Sequence, residues 1–145
     1  MIYVGYQGIG KSSISGKNNC IDLESGNFWV DGKRIDDWYK IYVNIAEHLS
    51  NQGYKVFMSS HKVVREELAK RNIDYTTIAP SPELKEQWIE RLQKRYDNSQ
   101  LEKDYKALMN AKDCYEENVL DLINDDNSSA SILIVNIDYD LENIL

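Results

Sequence analysis

The sequence predicts an α/β protein, a parallel sheet with helices on both faces. Three observations point there. Short apolar, β-branched runs alternate with helical patterns five times along the chain, the order that builds parallel strands joined by crossover helices. The first run, Ile2-Tyr3-Val4, leads straight into Gly5-Tyr6-Gln7-Gly8-Ile9-Gly10-Lys11-Ser12, which satisfies G-x-x-x-x-G-K-[ST] at every fixed position. The run Tyr54 to Ser60 is almost continuously apolar and ends in hydroxyls, as a buried parallel strand does.

Composition narrows the class. At 145 residues the chain is expected to form a single domain, 1–145, large enough for a real core. Ten Tyr, three Trp and only two Pro suit regular structure with few rigid linkers. The net charge of −7 argues against general nucleic-acid binding, which calls for a basic surface. No apolar run reaches the roughly 18 residues that span a bilayer, and the chain opens on a strand rather than a basic-then-apolar leader, so no membrane partner is expected. Cys20 and Cys114 stand far apart, outside any metal-ligand spacing, and suit a reducing cytoplasm better than a disulfide. There is no internal repeat and no low-complexity segment, and the sequon at Asn127 reads as a polar turn.

The opening motif carries the most chemistry. Gly5, Gly8 and Gly10 allow a backbone that comes close to a ligand. Successive N–H groups from Gly8 through Ile9 and Gly10 then make an anion nest, and a helix N-terminus adds its partial positive charge. Lys11 offers a point charge for β and γ phosphates, and Ser12 a hydroxyl oxygen for Mg²⁺. The expectation is a bound nucleoside triphosphate.

Ile14 to Asn19 follows as barely two turns of poor helix former ended by Gly16, so the first crossover is very short. Cys20 to Leu23 reads as the second strand. Asp22 and Glu24 lie at its carboxyl end, where α/β sheets bind ligands; Asp22 can hold a Mg²⁺-bound water and Glu24 can accept from a substrate hydroxyl. Gly26 to Asp36 is a loop with a turn at Asp31-Gly32. Its Phe28, Trp29, Lys33 and Arg34 either stack a base and hold a phosphate or tuck back on the core.

Asp36 or Asp37 caps the next helix, whose apolar face is Trp38, Ile41, Tyr42, Ile45 and Leu49, ending at Gly53. His48 in its last turn is a dipole partner rather than a catalyst. After the third strand, Tyr54 to Ser60, His61 sits at the strand-to-helix junction and Arg65 within the helix, near the sheet's carboxyl edge. Arg65 can contact a substrate phosphate, and His61 can face the ligand.

Asp74 to Ala79 is the fourth strand. Ser81 caps the next helix, with Pro82 at its first position. Leu84, Trp88, Leu92 and Tyr96 form the packing face, while Arg91 and Arg95 project from consecutive turns and suit a polyphosphate. Asp97-Asn98-Ser99 breaks the helix, and Ser99 with Glu102 reads as a capping box. A stripe from Leu101 through Tyr105, Leu108, Tyr115 and Val119 to Leu122 predicts one long helix or two. Ser131 to Ile137 is the last strand, expected buried, and Asp138 to Leu145 a short tail.

Taken together, GYQGIGKSS, then DLES, then a buried strand followed by an arginine-bearing helix, then R-x-x-x-R, resembles the nucleoside-monophosphate kinase group of phosphate-loop proteins, with shikimate and gluconate kinases related in shape. DLESGNF, SSHKVVREEL and IAPSPELKEQWIERLQKRY are similar to small phage-encoded and Firmicute phosphate-loop proteins that are often labelled nucleotide kinases. The resemblance covers most of the chain. It implies a three-layer α/β/α phosphate-loop NTPase fold with a five-stranded parallel sheet in the order 2-3-1-4-5. It also implies ATP and Mg²⁺, and a cytoplasmic location, the host's if phage-encoded. By the resemblance, Gly8, Gly10, Lys11, Ser12 and Ser13 would hold the triphosphate and metal. Asp22 would take the acidic position after strand two, Arg65 would grip the acceptor phosphate, and Arg91 and Arg95 would be lid arginines. The sequence departs from the group in three places: Ser59-Ser60 stand where many relatives carry an acid, the first helix is truncated, and no long lid insertion follows Arg95.

Three functions follow as expectations. The first is ATP-dependent phosphoryl transfer to a small phosphorylated acceptor, a (deoxy)nucleoside monophosphate, by a monomer or homodimer. The second is a nucleotide-binding switch or interaction protein with little turnover, acting in phage–host conflict. The third is a small-molecule kinase of the shikimate type, with Asp22 and Glu24 on the acceptor hydroxyl.

Overall fold

A computed structural model describes residues 1–145. Its sheet contains five strands, all parallel: β1 (Ile2–Gly5), β2 (Cys20–Asp22), β5 (Lys55–Ser59), β6 (Thr76–Pro80) and β7 (Ala130–Ile134), in the order β2-β5-β1-β6-β7. Counted among sheet strands this is 2-3-1-4-5, as expected. All four residues of β1 are buried, so both faces of the central strand are covered. Tyr3 stacks on Phe57, its register partner, with ring centroids 4.9 Å apart. The core is one cluster of 28 buried apolar residues spanning every sheet strand but β7's outer end.

The short first crossover is real. α1 is only Lys11–Ile14, and β2 begins at Cys20. The expected loop after β2 holds more structure than its composition suggested: a 3-10 turn at Ser25–Phe28, then a hairpin of β3 (Trp29–Val30) and β4 (Lys33–Arg34). Asp31 and Gly32 both have positive φ, 50° and 78°, the turn that matches the twist of a two-residue hairpin.

α2 (Trp38–Asn51) starts after Asp37, whose side chain makes no capping hydrogen bond; it pairs with Lys40 at 3.8 Å. The buried residues of α2 are Tyr42, Val43 and Ala46, whereas Ile41 is 44% and Ile45 39% exposed. The expected apolar face is therefore rotated. Two apolar lines lie side by side on this helix, and packing against β5 and α3 selects one of them. α3 is Lys62–Lys70.

Ser81 caps a 3-10 turn, Pro82–Leu84, by accepting from Glu83 N–H, and α4 (Lys85–Ser99) continues from it. The break falls at Gln100, with φ 56°, after rather than at Asp97-Asn98-Ser99. Ser99 does not form the capping box with Glu102. Its hydroxyl accepts from Leu101 N–H at 3.2 Å and donates to the buried carboxylate of Asp104. α5 (Glu102–Ile123) is one helix with a kink at Cys114, and Leu101 and Tyr105 at the head of its stripe are exposed. β7 is shorter than expected and largely exposed, because it is the sheet's last strand and has a neighbour on one side only. α6 (Leu141–Ile144) forms the single turn of the tail. No helix is long and apolar enough to cross a membrane.

Candidate functional site

The loop from Gly5 to Ser12 joins the carboxyl end of the central strand to α1. Three successive carbonyls of this loop are each held from outside. Trp88 Nε1 donates to Gln7 O at 2.9 Å, Arg91 Nε to Gly8 O at 2.8 Å, and Tyr139 OH to Ile9 O at 2.5 Å. The peptides are trans, so each carbonyl opposes the N–H that follows it. Fixing these carbonyls outward turns the N–H groups of Gly8, Ile9 and Gly10 inward. From Gly8 to Ser12, no N–H has an acceptor within the protein. Five adjacent unpaired donors in a turn form an anion nest. Glycine is required at position 8, where φ is 85° and a Cβ would fall 2.9 Å from Leu92 and 3.2 Å from Trp88 Nε1. Gln7 ties the loop to α5, donating to Ala107 O and to Asn110.

Charges gather beside the nest. Lys11 Nζ lies 3.3 Å from Gly5 O and forms no ion pair. Burial lowers its pKa, against the pull of Asp22 and Glu24 and with the push of Arg95. Burial raises the pKa of Asp22, opposed first by Lys11 and aided by Glu24, with Lys103 and Arg95 also opposing. Lys11, Asp22, Glu24, Arg95 and Lys103 are thus one electrostatic cluster. Arg95 is aimed by its ion pair to Asp104 at 2.9 Å, and Glu24 is bridged to Lys103 at 3.8 Å.

Other residues singled out in the sequence have defined places. Ser12 and Ser13 are exposed at the start of α1. The Asp22 N–H donates to Ser15 Oγ. Phe28 packs against Trp38 and Tyr42 and is part of the core wall. Arg91, besides holding Gly8, lies over the rings of Trp88 and Tyr139 at 5.2 and 5.4 Å. Arg65 has partners other than a ligand: Asp121, Asp125 at 3.1 Å and Ser60 O together engage all three guanidinium nitrogens. Arg91 and Arg65, both expected to contact phosphate, each make contacts within the fold.

His61 is joined to the loop's neighbourhood by a chain of hydrogen bonds. Tyr42 OH donates to Leu23 O and accepts from Ser59 N–H, bridging the ends of β2 and β5. Ser59 Oγ lies 2.7 Å from His61 Nδ1, and Arg34 Nη1 lies 3.1 Å from Nε2. A guanidinium only donates, so Nε2 is the bare nitrogen and Nδ1–H donates to Ser59. Burial of the ring nitrogens, then the cations Arg34 and Lys11, bring the His61 pKa down to about 4. The ring edge packs on Trp38.

Trp88, Tyr42 and Tyr139 read as packing residues or tail in the sequence. Their one available signal is that a buried indole N–H or phenol O–H needs a partner; the partner itself lies up to 130 positions away.

A metal centre built from protein side chains alone is not present, since no three His, Cys, Asp or Glu side chains converge. The donors that remain, one serine hydroxyl and one strand-end carboxylate, fit Mg²⁺, which takes one or two protein oxygens and completes its shell with phosphates and water. Comparison with protein-family models gives no match, and comparison with curated proteins gives none either.

Proposed function

We propose that the protein is an ATP-dependent phosphotransferase whose acceptor is a small phosphorylated molecule, a (deoxy)nucleoside monophosphate. The observation that supports it most is the run of unpaired N–H groups from Gly8 to Ser12, held inward by Trp88, Arg91 and Tyr139 beside Lys11. The nest would take the β-phosphate, with Gly5 opening the turn and Ser13 at its end. Lys11 would shift toward the γ-phosphoryl group, gaining an anionic partner that it lacks. Ser12 and Asp22 would hold Mg²⁺, which supplies charge neutralisation. An oxygen of the acceptor phosphate forms the new P–O bond as the bond to the β–γ bridging oxygen breaks, giving ADP and a nucleoside diphosphate. Arg95, aimed by Asp104, meets the charge that spreads during transfer. Glu24, beside Asp22, orients the acceptor. No covalent intermediate is required; alignment and charge carry the reaction.

A second reading, a nucleotide-binding switch with little turnover, is favoured by one feature: the end of β5 carries Ser59, committed to His61, where a metal-supporting acid would speed transfer. The experiment that separates them is a coupled assay of ADP formation with each common (d)NMP. Acceptor-dependent turnover is expected, and Lys11→Ala should reduce it by about 100-fold or more. Intact ATP binding without turnover on any acceptor would favour the switch.

A further inference from the structure

The acceptor's anion needs a cation, and the fold leaves one arginine for it. Arg65, Arg71 and Arg95 each pair with a carboxylate, and Arg91 is held by Gly8 O. Arg34 has no carboxylate partner. Its single hydrogen bond runs from Nη1 to His61 Nε2, and its Nε is buried with no acceptor at all.

Its surroundings fix the guanidinium without satisfying it. The group lies 4.2 Å from the centre of the Trp38 ring and 5.4 Å from that of Trp29. These rings hold the plane and keep water from one side. Hydrogen-bond capacity remains on the fork, the geometry that suits a phosphate or carboxylate. Lys106, paired at 3.5 Å with exposed Glu102, also lies over Trp29 at 4.5 Å and brings a second cation to the same wall. The chain Leu23–Tyr42–Ser59–His61–Arg34 runs along the carboxyl ends of β2 and β5, one residue from Asp22. Arg34 therefore stands at the edge where an acceptor would face the nest.

We propose that Arg34, oriented by His61 and walled by Trp29 and Trp38, binds the phosphate monoester of the acceptor. This rests on the phosphotransferase reading, and it gives Arg34 the part that Arg65 would have in the resembling group. Trp29 is engaged by two cations already, so it serves as a wall for the fork rather than as a base-stacking platform.

The test is calorimetric titration in the presence of Mg²⁺ and a non-hydrolysable ATP analogue, using dAMP, dCMP, dGMP and dTMP against the corresponding nucleosides. For at least one pair, the monophosphate is expected to bind about 100-fold more tightly than the nucleoside. In Arg34→Gln that preference should fall below about tenfold, and Arg34→Lys, which keeps charge but not the fork, should fall between. Both variants should bind the ATP analogue as the wild type does, which also reports that they are folded. A preference unchanged in either folded variant overturns the proposal, as does a wild type without preference for any of the four. Failure of the wild type to bind the ATP analogue overturns instead the phosphotransferase reading beneath it. A readout independent of the variants is arginine modification by phenylglyoxal, mapped by peptide mass. Arg34 should be protected by the monophosphate and not by the nucleoside, and equal modification under both would overturn the assignment.

Discussion

The hydroxyl of Tyr139 does a job out of proportion to its size. It fixes one of the three carbonyls whose outward orientation turns the N–H groups of the Gly5–Ser12 loop inward. Tyr139→Phe keeps the ring stacked on Trp88 and deletes only that bond. It should weaken MgATP binding by about 3- to 10-fold, the worth of one hydrogen bond, with the fold retained. Calorimetry checks this, and an unchanged affinity would remove Tyr139 from the clamp. His61 gives a second prediction at this scale. Its folded pKa, about 4, lies below its ordinary value of 6.5, so the unfolded chain binds the proton more readily. The contribution of neutral His61 to stability is therefore fully present above pH 6.5 and is lost as pH falls toward 4. Protonation would also set a cation against Arg34 and Lys11. An NMR titration should find the ring neutral at pH 6; a midpoint near 6.5 would contradict the hydrogen-bond assignment. The loop glycines and Lys11 were legible in the sequence because their chemistry is local and ordered. Tyr139 was not, since nothing at position 139 names a carbonyl at position 9.

At the scale of elements, the strands were legible and the ends of the helices less so. Apolar runs located β1 and β5 because buried parallel strands have no polar face to hide, whereas β6 opens on Thr76 and the buried Thr77. The same logic failed for β7 on the sheet's edge, where Leu133 is 46% exposed and only Ile134 is buried, and Val135 just beyond it is 70% exposed. The hairpin of β3 and β4 was readable only as its Asp31-Gly32 turn, because strands of two residues carry no periodicity. Arg65 shows the limit most clearly. Its position on α3 placed it near the carboxyl edge, but its partners, Asp121 and Asp125, come from the end of α5 and the loop beyond. Asp125 also accepts from Tyr75 OH at 2.7 Å, so α3, α5 and the approach to β6 meet at one carboxylate. Burial pushes the Asp125 carboxyl up, but Tyr75, Asn127 and Arg65 together hold it below the usual carboxylate range. Arg65→Ala leaves that carboxylate buried without its cation and should cost about 3–5 kcal/mol of stability in urea unfolding. MgATP affinity in the folded variant should be unchanged. A loss of less than about 1 kcal/mol would mean that the pair behaves as an exposed one.

For the whole molecule, the sheet order puts β1 in the middle and brings the nest, the end of β2 and the end of β5 to one edge. The segment from the end of β2 to the hairpin faces α5 across that edge through Glu24–Lys103 and Trp29–Lys106. Ligands that join these parts should stabilise the fold as a unit. MgATP at 100 times its Kd should add about 2.7 kcal/mol, seen as a rise in Tm that Lys11→Ala abolishes. The proposed reaction moves a phosphoryl group from ATP to an acceptor phosphate. It is tested most directly by mass spectrometry with ATP carrying ¹⁸O on its γ-phosphoryl group, incubated with Mg²⁺ and a (d)NMP mixture. Label in a nucleoside diphosphate, absent with Lys11→Ala, is the predicted result. Label released only as inorganic phosphate, or retained in ATP that is demonstrably bound, would contradict it.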